Sequence, residues 1–168
     1  MSGTVQPLVA KLKELNESHL QMIELGENKK QAVIKNNVNE LIAIMNQESK
    51  VAKHIGQQEQ EREQLVYAFL LDRGIKSKLR LNLAELARLV FDPTEKQQLL
   101  DVSSELFNTL QQFQQLNDLN KQLIQQALDY VDLSLEMMTL VPEQEATYQH
   151  PAEKAYGATR SGLFDTRG

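Results

Sequence analysis

The 168-residue chain contains no cysteine and no tryptophan. The missing thiols exclude a disulfide framework, thiolate zinc sites and iron–sulfur ligation. Proline occurs four times and glycine seven times, too seldom for an all-β fold, which needs a turn about every 8–12 residues. The longest apolar run, Leu65 to Leu71, is far short of the roughly 20 residues that span a bilayer. The opening MSGTVQPLVAKLKEL has no basic stretch followed by a continuous apolar one, so no signal peptide is expected. Positive charge is also short. With 18 Lys and Arg against 23 Asp and Glu, the formal net charge is −5, the wrong sign for a general nucleic-acid binder. The expectation is a soluble cytoplasmic protein with no nucleic-acid partner and no direct membrane insertion.

Hydrophobic residues make up 41% of the chain and come mainly from Leu, with Gln, Lys and Glu also abundant. All are unbranched at Cβ and favour helix, so the class is all-α. A first helix carries the stripe Leu8, Leu12, Leu15, His19, Met22, with Thr4 as a cap and Pro7 in the first turn, and should stop at Asn36-Asn37. Asn37-x-x-Glu40 reads as a capping box for a second helix bearing Val38, Leu41, Ile42, Met45, Ala52 and Ile55. The middle of that helix, Gly56 to Gln64, is polar nearly all round, and Gly74 suits its C′ position. A basic link from Arg73 to Arg80 leads to a second box, Asn82-x-x-Glu85, with Leu81 and Leu86 placed as a hydrophobic staple. Asp92-Pro93-Thr94-Glu95 then combines cap, first-turn proline and acidic third position.

From Pro93 to Leu140 there is no Gly or further Pro, which predicts a continuous helix about 70 Å long. One series on it, Leu106, Leu110, Phe113, Asn117, Asn120, Ile124, Ala127, Val131, Ser134, Met138, has a/d-like spacing. A second series, Leu116, Leu119, Leu123, Tyr130, Leu133, Met137, runs beside it. The two together are wider than a single coiled-coil seam. Either other helices bury this surface, or it is a groove for an amphipathic client segment, which the adaptable thioethers of Met137 and Met138 would suit. After Pro142 the periodicity ends. The expected organisation is an elongated antiparallel helical bundle or coiled coil, three long helices and one short, over residues 1–142, with a flexible tail over 143–168.

The three histidines argue against an enzyme. A di-iron bundle needs Glu-x-x-His on one helical face, but Asn16, Val51 and Thr147 stand three residues before His19, His54 and His150. No phosphate-cradling Gly loop, His-Glu-x-x-His or Gly-x-Ser-x-Gly is present. His19 reads as a half-buried packing residue. Glu59, Glu61, Arg62 and Glu63 read as a solvated face, and Arg73, Lys76, Lys78 and Arg80 as a basic link that could alternatively meet an acidic protein or a phosphate. Asn117 and Asn120 either take buried partners and fix register or lie at a solvent edge. No catalytic, metal or cofactor site is expected.

The order of elements resembles the FlgN family of flagellar export chaperones. The matching features are a first helix through His19-Leu20 to Lys30, a second with Leu41, Glu48 and Arg62, a short connector, one long last helix, and a tail with Tyr148 and a terminal GLFDTRG. The resemblance implies a non-catalytic cytoplasmic protein of a type III secretion pathway. Such a protein binds terminal helical segments of hook–filament junction proteins, keeps them unassembled, and delivers them to the cytoplasmic domain of the export gate. Client binding in the family lies in the C-terminal helical region, which here corresponds to the stripe from Leu116 to Met138. A family tail tyrosine that docks to the gate corresponds to Tyr148, with Tyr156 as the alternative. Leu163-Phe164 has no assigned role. The rival reading is a structural coiled-coil or adaptor protein that self-associates through the same stripe.

Overall fold

The computed structural model describes residues 3–76 and 80–149, with side chains as far as 139. Four helices, α1 (Gln6–Ile34), α2 (Val38–Asp72), α3 (Leu83–Arg88) and α4 (Pro93–Gln149), account for 87% of the described residues, and none of these lies in a strand. The fold is the all-α helical bundle that composition and periodicity predict. The chain divides into two compact units, Met1–Ile124 and Gln125–Gly168, with the boundary inside α4.

Local chemistry sets the helix ends of the first unit. Asn36 takes a left-handed backbone with φ 54°, a conformation Asn tolerates better than most residues. The N–H groups of Asn36 and Asn37 reach back to the carbonyls of Val33 and Ala32, the pair of bonds that closes a Schellman motif. Asn37 also starts α2, its side chain accepting from the Glu40 N–H at 3.2 Å. The Glu40 carboxylate accepts from the Asn37 side-chain amide at 3.1 Å, not from its backbone as a full capping box would have it. α2 ends on the same motif, with Gly74 at φ 80° and the N–H groups of Gly74 and Ile75 on the carbonyls of Leu71 and Leu70. At α3 the Asn82–Glu85 box is complete. At α4 the Asp92 carboxylate accepts from the Thr94 N–H at 2.8 Å. Thr4 accepts from the Gln6 N–H, but its hydroxyl donates to the Glu95 carboxylate, tying α1 to α4.

Cross-helix contacts define direction within this unit. Lys11 pairs with Glu61 at 2.5 Å, Ser18 with Gln58 at 2.8 Å and Lys29 with Glu48 at 3.0 Å, so α1 and α2 are antiparallel. Glu14 and Glu61 beside Lys11 hold its ammonium pKa above the ordinary lysine value. Thr4 meets Glu95, Gln6 meets Gln98 at 2.6 Å, His19 meets Phe113 and Gly26 meets Asn120, so α4 runs parallel to α1. The hydrophobic core lies where the N-terminal half of α1, the end of α2, α3 and the start of α4 converge. Leu8, Leu12, Leu15, Leu70, Leu86 and Leu99 are its largest fully buried residues besides Val5.

Two details go beyond the sequence pattern. The polar middle of α2 is not wholly solvated: Gln58 is buried, which it tolerates because Ser18 donates a hydrogen bond to its amide oxygen. The apolar periodicity stops at Pro142, yet the α4 backbone stays helical to Gln149. Glu143, Gln144, Glu145 and Ala146 are themselves good helix formers.

Candidate interaction surface

In the first unit α4 buries one seam: Leu99, Val102, Leu106, Thr109, Leu116 and Asn120, with half-buried Phe113 between them. The spacing alternates three and four, the a/d repeat of a coiled coil. His19 sits on this seam, its ring edge-on to Phe113 at 6.4 Å between centroids and its Nδ1–H donating to the Leu15 carbonyl at 2.7 Å. It is a half-buried packing residue. Asn120 is 2% exposed and donates to the Gly26 carbonyl at 2.8 Å, while its Oδ1 has no partner. Leu116 closes on Gly26 so tightly that an added Cβ there would lie 2.7 Å from its Cδ2.

This seam is shifted from the series that spacing alone selects. Thr109 and Leu116 are inside, whereas Leu110 is exposed and Asn117 only half-buried. A threonine is admissible there because its hydroxyl donates to the Glu105 carbonyl. Leu116, expected on the client-binding stripe, therefore belongs to the internal packing. Leu119 is exposed and Leu123 half-buried.

The second unit has a different surface. Within its described side chains Leu128, Tyr130, Val131, Leu133, Leu135, Met137 and Met138 are all exposed, Tyr130 at 72% and Met137 at 62%. At 100° per residue they cover an arc of roughly 220°. Asp129, Asp132 and Glu136 fill the remaining strip, and no Lys or Arg occurs between Gln125 and Thr139. Tyr130 and Met137 stand seven and fourteen residues beyond Leu123, and thus occupy the same a/d position as Leu116. The repeat continues along α4, but burial does not. Of the six stripe residues expected to bind a client, Tyr130, Leu133 and Met137 share this uncovered helix. Tyr148 falls in the last turn of α4, and its side chain, like Tyr156, Leu163 and Phe164, lies outside the described residues.

Among the described residues no group of His, Asp or Glu is placed to hold a metal ion, and no helix is long and apolar enough to cross a membrane. Exposed apolar side chains along a helix are of the kind that pack against an amphipathic partner helix. The family profile of the FlgN protein matches residues 1–155, and the chain belongs to that family, one of flagellar chaperones and not of enzymes. It is similar to the uncharacterized protein YvyG of Bacillus subtilis (strain 168), with 26% identity over 166 residues, covering 98% of this chain and 99% of that protein. No solved structure matches.

Proposed function

We propose that this protein is a cytoplasmic flagellar export chaperone of the type III secretion pathway, binding the terminal helical segments of hook–filament junction proteins through α4 and delivering them to the export gate. The observation that carries this reading is the a/d repeat that runs past Asn120 onto side chains with nothing over them. A coiled-coil seam without its partner helix is satisfied by an incoming amphipathic helix. Tyr130, Leu133 and Met137 form its centre, with Leu119 and Leu123 extending it along α4. The acidic strip Asp129, Asp132, Glu136 favours a client helix with Lys or Arg beside its apolar stripe. Residues 1–142 act as the chaperone bundle and 143–168 as the gate-docking segment, with Tyr148 as its anchor; a buried Tyr is a common interface hot spot.

The test is co-purification from flagellated cells, followed by mass spectrometry of the captured proteins. Junction proteins should accompany the wild-type chain and be lost with Leu133→Asp. If only further copies of the chain are captured, α4 serves self-association. Tyr148→Ala should keep the client and lose the isolated gate domain in a titration of the client-loaded protein. Unchanged gate affinity would remove Tyr148 from the site, and Tyr156→Ala in the same titration would show whether the other tyrosine serves.

A further inference from the structure

The end of α2 carries a second surface, of opposite charge. The Arg73 guanidinium lies between two phenyl rings, 4.9 Å from the Phe69 centroid and 4.5 Å from that of Phe91. Stacking of this kind fixes the plane of the fork and strips part of its water. The Arg73 Nε is buried and has no hydrogen-bond partner. None of the ion pairs among the described residues involves Arg73, Lys76 or Arg80. Lys76 and Arg80 are exposed, and no acidic residue occurs between Arg73 and Arg80.

Two apolar features accompany these cations. Phe91 is 81% exposed, the highest value among the large hydrophobic residues described. Arg80 also lines a cleft of about 670 Å³ together with Val66, Leu70 and Leu81, a volume in the range that accommodates bound groups. One carboxylate, Glu63, lines it as well. With its Nε buried, but the residue only half-buried and in no ion pair among those described, the Arg73 guanidinium has its remaining N–H groups to offer to a carboxylate.

We propose that Arg73, Lys76 and Arg80, with Phe91, form a docking surface for an acidic, amphipathic segment of a partner protein. A carboxylate of that segment pairs with the Arg73 fork, neighbouring acids face Lys76 and Arg80, and an apolar side chain packs on Phe91. This surface is made entirely of first-unit residues.

The test is fluorescence anisotropy of the full chain with a short fluorescein-labelled peptide of alternating Glu and Leu. The Glu peptide should bind, less well as salt rises, and its Gln-for-Glu counterpart should bind about tenfold more weakly or worse, the value of a charge-assisted hydrogen bond. Arg73→Met should lose binding by a similar factor. Because Arg73 also packs on Phe69, the exposed pair Lys76→Glu/Arg80→Glu supplies an independent variant, expected to weaken binding just as clearly. Lys50→Glu/Lys53→Glu, the same charge change made within α2, should leave it unchanged. No binding of the Glu peptide, equal binding of the Gln peptide, or equal losses in the two double variants would overturn the proposal. So would binding to phosphatidylserine vesicles that depends on Arg73 while the peptide shows no such dependence, which would make the surface a membrane contact.

Discussion

Gly26 and Asn120 show how one contact between helices sets two opposing costs. A glycine inside a helix is worth about 1 kcal/mol less than alanine. Here an alanine Cβ would stand 2.7 Å from Leu116 Cδ2 and 3.3 Å from its Cγ, on a side chain that is itself buried. Overpacking of this kind costs about 1–3 kcal/mol, so Gly26→Ala should lower the thermal midpoint; a higher midpoint would mean that Leu116 has room to yield. Asn120 is the opposite case. The Gly26 carbonyl lies inside α1 and belongs to that helix's own ladder, so the Asn120 bond is an addition to it, and the Asn120 Oδ1 is left unpaired. Asn120→Leu should therefore raise stability by about 1 kcal/mol, measured by denaturant unfolding. A loss of stability would show that the amide contributes more than its unpaired oxygen costs.

At the scale of elements, helix ends and helix faces were not equally legible. The stops and starts at Asn36, Asn37, Gly74, Asn82 and Asp92 follow from residues within a few positions of one another, so the sequence announces them directly. Asp92→Ala should cost about 1 kcal/mol through the lost cap, read as a shift in unfolding midpoint without a change in m-value. The phase of the α4 seam was hidden for a physical reason. Apolar residues occupy more of that helix than one seam can take, so spacing alone puts Leu110 inside, whereas packing takes Thr109 and satisfies its hydroxyl locally. Gln58 was equally illegible, because its partner Ser18 is on another helix. The apolar excess toward Met138 could be read from composition, but not which of its residues are buried: Leu116 is, and Tyr130 is not. Leu133→Asp should leave thermal unfolding of the isolated chain within about 0.5 kcal/mol of wild type, as expected for an exposed site. Leu86→Asp, at a position 1% exposed, should unfold it.

The first unit has a well-filled apolar core, and the described part of the second is helix whose apolar side chains are exposed. Exposed apolar surface of this kind marks an interaction site or an aggregation hazard, and the proposed chaperone role assigns it to a client helix. The most direct test is a calorimetric titration of the purified chain with a terminal helical segment of a hook–filament junction protein, comparing wild type with Leu133→Asp/Met137→Asp. The account predicts one binding event for wild type, a loss of tenfold or more in affinity for the variant, about 1.4 kcal/mol or greater, and the same unfolding midpoint for both proteins without client. Equal affinity for the two proteins would contradict it.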